Sequence, residues 1–154
     1  MAEYFILEDF LNGTLDCHGV IIRRNGDIRH RFTAELTGTW QTEPDGMYRG
    51  TLHEIFTFDS GETHEREWRF TKEASHGYIA TAADVQGLAN ITIRGFEAIA
   101  MYRLSIPFAK QHLIVDVEDM LWISPKGVVL GKAIMRKFGV RFGEMITVMI
   151  PRKK

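Results

Sequence analysis

The stretch that most limits how this chain can fold is Gly50 to Phe70, GTLHEIFTFDSGETHEREWRF, two alternating runs that turn back at Asp59-Ser60-Gly61. Successive side chains of an extended strand point to opposite faces, so residues of one parity share a side. Leu52, Glu54, Phe56 and Phe58 make one such row, and Arg66, Trp68 and Phe70 make the matching row on the return. The pattern reads as an antiparallel hairpin whose apolar face carries one carboxylate and one guanidinium. With one extra residue in the turn both apolar faces coincide. Phe56 is then expected opposite Arg66 and Glu54 opposite Trp68, with Glu54 and Arg66 as diagonal neighbours.

Similar alternation runs through most of the chain. Leu7 to Leu11 has helical spacing stopped by Asn12-Gly13, which predicts one short helix that plugs or covers something. Leu15 to Arg24 is extended, Asn25-Gly26 is a hairpin turn, and Ile28 to Trp40 places His30, Phe32, Ala34 and Leu36 on one face. Pro44-Asp45-Gly46 turns into the hairpin described above. Beyond Ser75-His76-Gly77, two short strands are expected at Tyr78 to Val85 and Leu88 to Ile93, broken at Gln86-Gly87, and a third at Ala98 to Ile106, closed by Pro107. His112 to Ile123 sets Asp119 in a row with Leu113, Val115, Val117, Leu121 and Ile123. Ser124-Pro125-Lys126-Gly127 forms a turn, and Val128 to Phe138 and Val140 to Ile150 form a last hairpin through Gly139. That hairpin is apolar on both faces, so its second face is expected to meet the N-terminal helix or another subunit.

About ten short strands in a row, without repeats or linkers, describe an all-β meander, and closing it removes both edges. The predicted fold is an antiparallel up-and-down barrel of about eight to ten strands, wide enough for one small ligand, with a two-sheet sandwich as its rival. A length of 154 residues suits one domain spanning 1–154. The net charge of -1 argues against a nucleic-acid partner. Basic residues nonetheless dominate from Lys126 onward, where Glu144 is the sole acid, so the last hairpin is either a solvated face or a weak contact for an anionic membrane surface. The single Cys17 cannot form an internal disulfide and favours a reducing, cytoplasmic setting. No leader pattern or lipoprotein cysteine is visible; the periplasm is the alternative if a leader has been removed.

The chemistry rests on a few residues. Arg66 and Glu54 either satisfy one another or hold a ligand's polar head, a guanidinium fork being suited to carboxylate or phosphate. Asp84 and Asp119 are candidates for acid–base work, since burial raises a carboxyl pKa toward neutrality. Their structural alternatives are backbone N–H groups at the Gln86-Gly87 bend for Asp84 and a basic residue of 128–138 for Asp119. Phe56, Trp68 and Tyr102 are expected to wall a cavity with them. His30 and His64 share parity with apolar residues and are candidates to meet inside. No histidine, cysteine or glycine motif calls for a metal or other cofactor, or for a nucleophile. The leading expectation is a binder of a hydrophobic small molecule, of lipid or fatty acyl type. The alternatives are a carboxylate acid–base enzyme on a lipid-like substrate and a homodimeric interaction module.

The blocks LEDFLNG (7–13), NGDIRHRF (25–32), LHEIFTFDSGE with REWRF (52–70), AADVQG (82–87), GFEA (95–98), VEDML (117–121) and MRKFGVRFGE (135–144) also resemble a family of small bacterial proteins of unknown function, many of them lipoproteins. The resemblance spans nearly the whole chain and implies a lipocalin-like barrel without an assigned activity. It marks Glu54, Arg66, Trp68, Asp84, Asp119, Lys137 and Gly139 as characteristic positions. The chain departs from that pattern at Glu118-Asp119-Met120-Leu121, where the family has Asp-Asp-Trp-Met. It also lacks an asparagine near Gly131 and the lipid-anchor cysteine.

Overall fold

The computed structural model describes residues 4–108 and 110–152. One short helix, α1 (Leu7–Phe10), precedes ten strands: β1 (Gly13–Arg23), β2 (Ile28–Thr42), β3 (Tyr48–Phe58), β4 (Thr63–Ala74), β5 (Gly77–Thr81), β6 (Val85–Arg94), β7 (Glu97–Phe108), β8 (Gln111–Ile123), β9 (Val129–Lys137) and β10 (Val140–Pro151). Consecutive strands pair antiparallel, and β10 pairs with β1 to close the barrel. Alternation sets the inside: Phe32, Ala34 and Leu36 of β2 are buried while Arg31, Thr33 and Glu35 face solvent. Among the described residues no helix is long and apolar enough to cross a membrane.

Turn chemistry fixes the register. Four hairpins share one build: the N–H of Arg23, Glu43, Phe58 and Ser124 donates to the carbonyl four residues on, and a glycine N–H returns the bond. Those glycines, Gly26, Gly46, Gly61 and Gly127, all have φ between 81 and 93°, where a Cβ is costly. The surplus residue of the Phe58–Glu62 turn is therefore Gly61 itself, and the loop is tighter than the sequence pattern implied. Glu54 consequently pairs directly with Arg66, Leu52 with Trp68 and Phe56 with His64, in place of the expected diagonal arrangement.

Two strand boundaries also differ from expectation. The break between β5 and β6 lies at residues 82–84, while Gln86-Gly87 sits inside β6 where the register shifts, Gly87 having φ 72°. β7 runs through Pro107, which pairs with His112; a proline is tolerated where the ladder does not use its N–H. The outer side chains Leu130, Ile146 and Ile150 remain exposed, so α1 does not cover that face of the last hairpin.

α1 instead stoppers one end of the barrel. Phe5, Leu7, Phe10 and Leu11 are buried there. The Phe5 N–H donates to the Gly95 carbonyl at 2.7 Å, and Trp40 Nε1 donates to the Leu11 carbonyl at 2.9 Å. A Cβ on Gly38 would fall 1.9 Å from that same carbonyl oxygen, so glycine is what admits the plug. Glu8, buried in the plug, accepts hydrogen bonds from Tyr78 and Lys72.

The wall is weakest beside β4. Strand β5 is short, and its ladder with β4 runs only from Arg69–Thr81 to Ala74–Gly77. The first half of β4, Thr63 to Trp68, has no backbone partner on that side. Side chains close the gap there.

Candidate functional site

Inside the barrel lies a cavity of about 110 Å³. Leu36, Leu52, Phe70, Ile91 and Leu121 give it apolar walls, and Leu7 and Leu11 of the plug close its base. Its polar groups come from four strands: Glu54 on β3, Arg66 on β4, Tyr102 on β7 and Asp119 on β8. Parity delivers them, since each occupies an inward position in an otherwise apolar row.

Arg66 is the hub. Its Nε lies 3.1 and 3.0 Å from Asp84 Oδ1 and Oδ2, and Nη2 donates to Oδ2 at 2.8 Å. Its Nη1 reaches Glu54 Oε1 at 3.5 Å, and Trp68 Nε1 donates to the same oxygen at 3.1 Å. The guanidinium carbon is 5.8 Å from the ring centres of both Phe56 and Trp68. Tyr102 packs edge-on against Trp68 at 5.3 Å and lies on the strand beside Asp119, whose carboxyl its hydroxyl holds down. The Arg66–Asp84 pair spans the part of the wall where β4 lacks a partner strand.

Burial governs the protonation of this cluster. It pushes the Glu54 carboxyl up to about 7, with Arg66 opposing and the Asp119 charge reinforcing the rise. Asp119 is raised to about 6 by burial, against Arg66 and the Tyr102 hydrogen bond. The Tyr102 phenol lies well above its ordinary value for the same reason. Burial, then Glu54 and Asp119, lift the Cys17 thiol to about 12, so it stays protonated and unreactive.

Of the seven residues proposed from sequence, Glu54, Phe56, Arg66, Trp68, Tyr102 and Asp119 line the cavity. Asp84 stands on the outer side of Arg66, in a groove shared with His64, Leu104, Pro107 and His112. It takes the guanidinium rather than the amides of the Gln86-Gly87 bend. Asp119 gains no basic partner from β9, because Lys132 and Arg136 pair with Met120 and Asp116 on the other parity, and Ala133 stands opposite Asp119. His30 and His64 do not form an internal pair: His30 Nδ1 lies 3.3 Å from Asp59, and His64 packs on Phe56 with Nε2 3.7 Å from Asp84. Lys137 and Gly139 lie apart from the cavity; Lys137 Nζ donates to the Ile114 carbonyl at 2.6 Å.

Sequence reasoning missed Cys17, Thr147 and the plug leucines as lining groups. Cys17 shares parity with Leu15, and Thr147 with Met145 and Met149, so the alternation contained the signal. Among the described residues no group of three or more His, Cys, Asp or Glu could hold a metal ion.

The same closed barrel occurs in the solved structure of an S-type phycobiliprotein lyase, CPES, from Guillardia theta. The two align with a TM-score of 0.70 over 95% of this chain and 90% of the other at 8% identity, a likeness of lipocalin-like fold. No curated protein matches the chain in sequence. The family described as Protein of unknown function (DUF3833) matches residues 1–152, and the chain belongs to it.

Proposed function

We propose that this member of a family of unknown function is a binding protein whose barrel holds a hydrophobic small molecule of lipid type. The observation that carries the reading is a mainly apolar cavity inside the barrel into which three charged side chains, Glu54, Arg66 and Asp119, project. Such a site is expensive to keep. A void of about 110 Å³ costs on the order of 3 kcal/mol in a core, and each buried charge adds desolvation. A chain under selection for stability alone would fill the space with another side chain.

Size narrows the ligand. An engineered cavity of about 150 Å³ takes one benzene, so this space suits a single ring or a short alkyl segment. A longer acyl chain would continue through the gap beside Arg66. The fold shared with a phycobiliprotein lyase supports small-molecule handling by analogy of architecture.

The test is native mass spectrometry of the full chain purified without detergent, followed by a panel of fatty acids, fatty amines and isoprenoids. A copurifying hydrophobic mass, or uptake displacing nothing else, supports the reading. A barrel that stays empty across the panel sinks it.

A second reading has one observation in its favour: Glu54 and Asp119 converge on a single cavity with carboxyls raised to about 7 and about 6. That is the range for proton transfer at neutral pH. Recovering a panel ligand chemically altered would select the enzyme; release unchanged selects the binder.

Two partner surfaces go with the binding reading. The tip of the last hairpin presents Phe138, 90% exposed, between Arg136, Lys137 and Arg141, a composition suited to an anionic lipid surface. Leu130, Ile146 and Ile150 give the outer wall an apolar face for self-association. Vesicle co-sedimentation with and without anionic lipid, and light scattering across protein concentration, test them separately.

A further inference from the structure

We infer that the cavity takes its ligand by a protonated amine on an apolar body, and rejects carboxylate and phosphate ends. This rests on the binding reading above and reverses the head-group chemistry that Arg66 alone suggests.

Among the described residues Arg66 is the only basic side chain lining the cavity, and each nitrogen of its fork already serves a carboxylate, Nε and Nη2 Asp84 and Nη1 Glu54, which leaves two of its five N–H donors. Trp68 Nε1 donates to Glu54, and the Tyr102 hydroxyl acts on Asp119. An incoming anion would have to share the guanidinium with Asp84 and Glu54, adding a further buried negative charge beside carboxylates that already compete for it.

Acceptors are in surplus. A carboxylate has about four acceptor sites, yet among the described residues the side-chain donors to Glu54 all end on Oε1, and Asp119 has Tyr102. Both carboxylates line the same cavity. One guanidinium faces three carboxylates, Glu54, Asp84 and Asp119, so the fully ionised cluster is short of positive charge. An ammonium ion supplies that charge and three N–H donors, while its alkyl body lies against Leu36, Leu52 and Leu121.

The empty site then keeps neutrality by holding protons. With Glu54 raised to about 7 and Asp119 to about 6, near-neutral solution leaves part of the pair protonated. An arriving ammonium replaces such a proton, so binding ejects H⁺ and leaves the net charge of the cluster unchanged. No bond to carbon forms or breaks. The exchange predicts affinity that rises with pH through this range.

Three probes of matched length separate the outcomes: hexylammonium chloride, hexan-1-ol and sodium hexanoate, titrated calorimetrically into the full chain in phosphate buffer at pH 5 and pH 7.5. The expected order at pH 7.5 is hexylammonium, then hexanol, then hexanoate, with about tenfold or more in Kd between the extremes. The hexylammonium affinity is expected to fall several-fold at pH 5, and its apparent enthalpy near pH 6.5 to vary with buffer ionisation heat, whereas that of hexanol does not. Asp119→Asn and Glu54→Gln each weaken hexylammonium and leave hexanol within about twofold. Hexanoate binding as well as or better than hexylammonium overturns the inference while leaving the binding reading intact. So does an amine preference that survives both substitutions, because the cation then sits elsewhere. Failure of all three probes overturns both. The wild-type comparison needs no variant to fold.

Discussion

Glu8 at the plug and Glu54 in the cavity both expose little of their side chains, 9% and 12%, although Glu54 lies deeper inside the protein, and their carboxyls move in opposite directions. Burial pushes both upward. At Glu8 that push is more than offset by hydrogen bonds from Lys72 and Tyr78, one to each oxygen, and its pKa falls below the ordinary value. At Glu54 both donors share one oxygen, Arg66 is at 3.5 Å and shared with Asp84, and Asp119 adds a like charge. Burial alone therefore does not decide how a carboxylate behaves. The plug has its charges balanced and closes the barrel, whereas the cavity keeps acceptors without donors.

The strongest way to break that contrast is Arg66→Ala, which strips Glu54, Asp84 and Asp119 of the guanidinium they share. A loss of about 3–5 kcal/mol is expected in denaturant unfolding at pH 7, and adding Glu54→Gln with Asp84→Asn in the same chain should recover at least half. A loss below about 1 kcal/mol would mean the cluster is solvated well enough to need no partner.

Glu8→Gln is expected to cost about 2 kcal/mol at neutral pH by weakening charge-assisted bonds to Lys72 and Tyr78. Because the folded pKa of Glu8 is lowered, its stabilisation is present above the ordinary carboxylate range and disappears as pH falls through the folded value. Wild type and variant should converge in acid, as thermal unfolding from pH 3 to pH 7 would show.

Glu54→Gln should have the opposite signature. With its folded pKa raised, the native state holds more protons than the unfolded chain between about 4.5 and about 7, so stability drops as pH rises through that window. The variant is expected to match wild type near pH 5 and to exceed it by about 2–3 kcal/mol at pH 8. A wild-type Tm that is flat from pH 5 to pH 8 would contradict the raised carboxyl.

The smallest effect serves as a control remote from both sites. Phe138 adopts φ 53°, a left-handed conformation unfavourable for a side chain with a Cβ, and it is 90% exposed. Phe138→Gly should stabilise by about 1 kcal/mol and leave the two pH profiles unchanged.

Much of this contrast was half-written in the sequence. Two-residue periodicity placed Glu54, Arg66 and Asp119 inward, because a one-residue slip would turn a whole apolar row to solvent. The turn residues and the run of strands led to a closed barrel. Glu8 was overlooked as a buried charge, since helical spacing over five residues says which positions are apolar but not what the helix docks against.

The amino-acid sequence by itself determined which side chains share a face, where the chain turns, and that charges sit among aromatic residues. Only the tertiary structure decided which of them meet. Arg66 and Asp84 lie 18 residues apart across a gap that no ladder spans, and they pair because β5 is too short to cover the first half of β4. Alternation is a local property of each strand. Pairing across the wall, the volume left inside and the surplus of acceptors arise from closure, which depends on every strand length and turn at once.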